Sequence, residues 1–241
     1  MENLMESLSK RLIEKGESIF IKSQKLYSYD SIINGCMVSG TNGKVEKMYA
    51  VAQNTWRGFH KLDKQGMGSK DIFVPYFNKN REDIISELKS INTVEELEKF
   101  EDKITEELRG MLMKCIKNNM LDSYNKVRKP VDLYIEHVVS MAEEFTVAER
   151  EKLVPLLFLP LDSQIFASEY IFSLKELYRF GLKRGSTFQD VHSSKVYKAM
   201  QNSLLQKLIK INGNFHRIYF DFFWNERYKK SGTNLFETNL N

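Results

Sequence analysis

Apolar residues recur at three- and four-residue spacing along most of the chain, the period of a helix with one buried face. Leu4, Leu8 and Leu12, with Met5 and Ile13 beside them, predict a helix over residues 2–15 that Gly16 ends. The run from Glu17 to Tyr29 fits a strand or a helix. Gly, Ser and Asn gather between Asn34 and Gly43, which predicts a loop. Val45, Met48, Tyr49, Ala52 and Trp56 then predict a helix over Lys44 to Trp56. Residues 57–70 read as a polar loop with three glycines. Asp71 to Phe77, DIFVPYF, is the best strand candidate, and Pro75 would confine it to a sheet edge. Any small sheet is expected within residues 17–77.

Beyond residue 80 the pattern is helix after helix. Arg81 to Ile91 is amphipathic. Thr93 with Glu96, and Thr146 with Glu149, have the spacing of capping boxes, in which hydroxyl and carboxylate satisfy each other's backbone N–H groups. The first opens a charged helical region that runs to about Asn119, with a break expected near Phe100. The second opens a short helix that Pro155 stops. Further helices are expected over Pro130 to Phe145, Ser163 to Phe180, Ser194 to Ile211 and Asn214 to Tyr228, with Asn212-Gly213 breaking the last two apart. The expected fold is therefore mainly α: an irregular multi-helix bundle with a possible small β element in the N-terminal third. A boundary near residue 80 would divide a mixed lobe, 1–80, from a helical domain, 81–241, although one continuous domain fits as well.

Composition narrows the class more than the function. Of 241 residues, 42% are apolar and 28% charged, with only four prolines, which suits a globular helical protein. The two cysteines, Cys36 and Cys115, form no CxxC pair, so a reducing compartment is expected. Met1 to Lys15 has no apolar core of signal-peptide type. The longest apolar stretch, Leu153 to Leu161, is broken by two prolines and falls short of the roughly 20 residues a membrane span needs. A cytoplasmic protein without membrane contact is the expectation. Net charge is +4, distributed as +4 over residues 1–80, −5 over 81–160 and +5 over 161–241.

Two segments could carry chemistry. In PVDLYIEHVVSMAEEF, Pro130 to Phe145, the polar residues shrink to a stripe of Asp132, Glu136, Ser140 and Glu143. A helix this apolar is buried on most sides, so the stripe faces solvent, an internal polar partner or a ligand. Asp132 and Glu136 set two like charges one turn apart, which calls for compensation. The helix N-terminus at Pro130, the upstream Lys126, Arg128 and Lys129, or a divalent metal on Asp132 and Glu136 with His137 nearby could each supply it. The last helix has a similar thin stripe of Asn214, Arg217, Asp221 and Asn225, and Arg217 is within reach of the first stripe if the two helices pack together. Its aromatics, Trp224 among them, fall on every side, which suits a core better than a base-stacking platform.

Basic clusters stand at helix ends: Lys126, Arg128 and Lys129; Arg179 to Arg184 with Lys183 and Arg184; and Arg227 to Lys230 with Lys229 and Lys230. Such positions suit phosphate contact, and equally the capping of helix dipoles. The glycine loops fail stronger tests. Gly43-Lys44 is followed by Val45 where a phosphate-binding loop needs Ser or Thr. Neither GxSxG nor HExxH occurs. Glu101-Asp102-Lys103 matches a Glu-x-Lys fragment of metal-dependent nucleases, but on a charged helix instead of a strand.

Three functions follow as expectations. The leading one is a nucleic-acid-associated binding protein that contacts phosphates through Lys126, Arg128, Lys129, Lys183, Arg184, Lys229 and Lys230. The second is a metal-assisted hydrolase or nuclease with Asp132, Glu136 and His137 as catalytic residues. The third is a protein-binding adaptor using the acidic helices of residues 81–119.

Overall fold

The computed structural model describes residues 10–39, 44–59, 67–116, 121–211, 214–221 and 235. Within them the chain is mainly helical, with eleven helices and one two-stranded hairpin. Helix α1 covers residues 10–16 and runs directly into a π-helical turn, Glu17–Ile21. The α-helical run thus ends at Gly16 as expected, and a π-helical turn carries the coil on. The missing side chain of Gly16 makes room for the Tyr219 ring, whose atoms would lie 2.5 Å from a Cβ there.

Helix α2, Tyr29–Asn34, leads into strands β1, Cys36–Ser39, and β2, Val45–Met48, which pair antiparallel with Cys36 opposite Met48 and Ser39 opposite Val45. The small sheet lies inside the expected window, but not at the expected residues. The supposed loop holds β1, the supposed helix begins with β2, and only α3, Gln53–Arg57, is helical there. A strand's period of two places Cys36, Val38 and Met48 on the buried face while Met37, Val45 and Lys47 face out.

The strand expected at Asp71 to Phe77 is instead helix α4, Lys70–Lys79, with Pro75 inside it. Ile72, Phe73, Tyr76 and Phe77 are the buried positions, a helical face that the short apolar run disguised as a strand. Tyr29 Oη donates to the Phe77 carbonyl at 3.0 Å and so ties α2 to α4. Helix α5, Arg81–Ser90, follows at once. Helix α6, Val94–Leu112, starts at the expected Thr93–Glu96 capping box and continues unbroken through Phe100.

Helix α7, Tyr124–Met141, is the centre of the molecule: all eighteen of its residues are buried. It packs against α2, α6, α8 and α11 and against the turns Glu17–Ile21, Val154–Leu156 and Phe188–Asp190. It starts six residues before Pro130, which lies inside the helix and not at its first position. Backbone carbonyls take the place of a side-chain cap: Tyr124 N–H donates to His192 O at 3.0 Å and Asn125 N–H to Val191 O at 3.1 Å.

Helix α8, Val147–Leu153, begins at the expected Thr146–Glu149 box and passes into a 3-10 turn, Val154–Leu156, that contains Pro155. The single helix expected over Ser163 to Phe180 is two short ones, α9, Ser163–Ala167, and α10, Leu174–Arg179. Helix α11, Ser194–Ile211, matches expectation. In place of the start of a last helix there is a 3-10 turn, Arg217–Asp221. The Asn212-Gly213 break, Trp224 and the remainder of that expected helix lie outside the described residues. One buried apolar cluster runs from Leu12 to Leu235.

Candidate functional site

The polar stripe of α7 lies in the interior. Arg128, fully buried, spreads its guanidinium over three carboxylates: Nε donates to Asp132 at 2.6 Å, Nη1 to Asp102 at 2.8 Å, and Nη2 to Glu101. Asp132 lies one turn further along α7, whereas Glu101 and Asp102 come from α6. The second Asp132 oxygen accepts from Tyr197 Oη of α11 at 2.8 Å. Tyr124 Oη donates to Asp102 at 2.6 Å, and Lys198 Nζ reaches the other Asp102 oxygen at 2.6 Å. Three helices are thus joined around one cation.

Carboxylates outnumber the buried guanidinium, so burial raises the Glu101 carboxyl well above its ordinary range despite Arg128 beside it. The neighbouring Asp132 carboxylate adds to that rise, and burial raises the Asp132 carboxyl too. Aromatic rings close the site. The Arg128 guanidinium lies 4.9 Å from the Phe158 ring centre and 5.0 Å from that of Tyr197. The Arg217 guanidinium lies 4.0 Å from the same Phe158 ring and donates to the carbonyls of Leu157 at 2.7 Å and Leu156 at 2.6 Å. Arg217 therefore caps the turn after α8, and Arg128, not Arg217, neutralises Asp132.

Glu136, one turn beyond Asp132, is fully buried, and neither of its oxygens has a hydrogen-bond partner among the described residues. Burial, then Asp221 and Asp132, push its carboxyl far above the usual range, so it sits in the core as the neutral acid. His137 points elsewhere. Its Nδ1 donates to the Leu133 carbonyl at 2.8 Å, and burial lowers it to about 4, so the ring is neutral. Both Asp132 oxygens are occupied. Among the described residues no group of three or more His, Cys, Asp or Glu side chains is arranged to hold a metal ion.

The basic residues separate by burial. Lys126, Arg128 and Lys129 are interior. Lys129 pairs with Asp162 at 3.2 Å and lies over the Phe188 ring at 4.9 Å. Arg184 Nη1 donates to the Phe166 and Ser168 carbonyls, both at 2.9 Å, and ties the α9–α10 connection down. Lys183 is exposed. Lys229 and Lys230 lie outside the described residues.

Lys183 follows, by four residues, a helix whose exposed face the sequence pattern concealed. Helix α10 exposes Leu174, Lys175, Tyr178 and Arg179, preceded by exposed Tyr170. Six residues make a marginal helix, and both ends of this one are fixed. Ser173 and Glu176 form a capping box at its start. At its end Gly181, at φ +74, lets Leu182 N–H reach Leu177 O at 2.8 Å and Gly181 N–H reach Tyr178 O at 3.0 Å, a Schellman closure. Glu176 is further held by Lys207 at 2.7 Å, and these donors keep its carboxyl below the ordinary range against the opposing effect of burial. The acid on α10 is thereby neutralised, while Lys175 and Arg179 stand in water one turn apart.

No family model, no curated protein and no solved structure matches this chain.

Proposed function

We propose that the protein is a nucleic-acid-associated binding protein that contacts phosphates through the basic end of α10. The supporting observation is the exposure of Lys175 and Arg179 on one capped helix, and of Lys183 just beyond it, while the helix's own acid, Glu176, is tied to Lys207. Of the basic clusters expected from sequence, the one at residues 179–184 keeps its solvent-facing cations, while the α7 cluster is interior. Phosphate contact needs cations in water, because binding is driven by displacement of counterions from the polyanion.

The test is fluorescence anisotropy of a labelled oligonucleotide at about 50 and about 200 mM salt. Affinity is expected to fall steeply with salt. Lys175→Glu/Arg179→Glu is expected to weaken binding and to lower the salt slope by about 2, roughly one per lost phosphate contact. Lys79→Glu, an exposed change on α4, serves as the control. No retention of DNA or RNA at the lower salt would remove the proposal.

A second reading, a protein-binding adaptor, is favoured by the hairpin, whose outward face presents Met37 and Val45 to solvent. Loss of a co-purifying partner on Met37→Lys/Val45→Lys would support it. A hydrolase built on Asp132 has less support, since Arg128 and Tyr197 occupy both oxygens.

A further inference from the structure

We infer that the α10 face takes single-stranded nucleic acid in preference to duplex, with an unpaired base stacked on Tyr178. The inference rests on the phosphate-binding reading above and adds to it the form of the polyanion.

Tyr178 is 68% exposed, Leu174 47% and Tyr170 54%. Leu174 and Tyr178, four residues apart, share one side of the helix, and Lys175 and Arg179 form the adjacent row about 100° round. An apolar row with a tyrosine thus runs beside a row of cations. Duplex DNA or RNA offers phosphates to the cations, but its base faces are stacked inside and cannot reach the ring. A single strand offers both, a backbone that follows the charges and bases with open faces. Every base has such a face, so the surface would tolerate many sequences.

The platform is held still before any ligand arrives. The Ser173–Glu176 box, the Gly181 closure and the Arg184 bonds to Phe166 and Ser168 fix the helix and its approach. Little ordering is then required of the backbone on binding. Glu169 is exposed next to Tyr170, and its charge disfavours phosphate at that end. Tyr178, between Lys175, Arg179 and Lys183 in the chain, is therefore the primary stacking position and Tyr170 the lesser one.

The experiment compares anisotropy titrations of labelled single strands of about 12 nucleotides, DNA and RNA, with the matching duplexes at one salt concentration. The expected result is tighter binding of the single strands. Tyr178→Ala is expected to weaken single-strand binding by roughly 5- to 100-fold and to leave duplex binding within about twofold. Tyr178→Phe, which keeps the ring, is expected to retain most of the affinity. The melting temperature of each variant checks folding, and the exposure of Tyr178 means it should not move. If duplex and single strand bind equally and Tyr178→Ala changes neither, stacking is overturned while phosphate contact stands. If neither form binds and Lys175→Glu/Arg179→Glu has nothing to weaken, both readings fail together. If Tyr178→Ala instead disrupts a protein complex and leaves the single strand bound as before, the face is a protein-docking surface and the inference is wrong.

Discussion

Glu136 shows how far one side chain can depart from its sequence neighbours. Asp132 is charge-balanced and hydrogen-bonded on both oxygens, whereas Glu136, one turn on, has no hydrogen bond among the described residues and keeps its proton. The consequence for stability has a definite sign. The folded-state value lies above the unfolded one, roughly 4.3, so the contribution is fully present below that value and is lost as pH rises through the folded-state titration. Glu136→Gln is therefore expected to raise the melting temperature at pH 8 and above, with little change near pH 4. Calorimetry across that range measures it, and an unchanged slope would contradict the burial of an ionisable group. Glu101 titrates in the same direction, so the variant flattens the curve without levelling it. The need for compensation at Asp132 was legible in the sequence, and Arg128, one turn before it, was among the candidates. Glu101 was not legible as its partner. It sits on the apolar stripe of Leu97, Ile104 and Leu108, and a carboxylate in that position was the available signal.

At the scale of elements, two of the local capping boxes were read correctly, while the Ser173–Glu176 box, of the same spacing, was missed inside a longer expected helix. The boxes at Thr93 and Thr146 start α6 and α8 as expected because their bonds are made within one turn. Elements decided by distant packing were misread. Pro130 resembled a helix start, but the carbonyls of Val191 and His192 move the start to Tyr124. The costs of an internal proline, ~3 kcal/mol, are offset by burial around the whole helix. Helix α10 was hidden in a longer expected helix, although Ser173–Glu176 and Gly181 mark its ends by the same capping chemistry. Gly181→Ala is expected to cost about 1–2 kcal/mol, since a side chain at φ +74 is strained even though open space surrounds it. Gly185→Ala, also in open space but without a positive φ, is expected to be neutral. Urea unfolding of the two variants separates backbone strain from crowding. Equal effects would deny the cap its role.

Taken whole, the molecule places its charged network at the junction of α6, α7 and α11, where the chain segments are far apart in sequence. Such a network contributes more to which helices meet, and in what register, than to net stability, because desolvation offsets most of the attraction. The helical class followed from the three- and four-residue period along the chain, and the burial of α7 from the lack of a broad polar face in PVDLYIEHVVSMAEEF. The candidate binding face did not follow, because exposure is a property of the assembled surface and leaves no period of its own in a helix of six residues. Of the described helices, none is long and apolar enough to cross a membrane.

The enclosure of α7 also bears on how the protein is made. Its N-terminal turn is capped by residues 191–192 and its sides are covered in part by α8 and α11, all of which leave the ribosome after it. A nascent chain that has reached residue 145 carries a greasy cylinder covered on one side only, by α2, α6 and the turn Glu17–Ile21. A stop codon placed there is expected to yield an insoluble product, recovered in the pellet on centrifugation unless a chaperone is co-expressed, whereas the full chain stays in the supernatant.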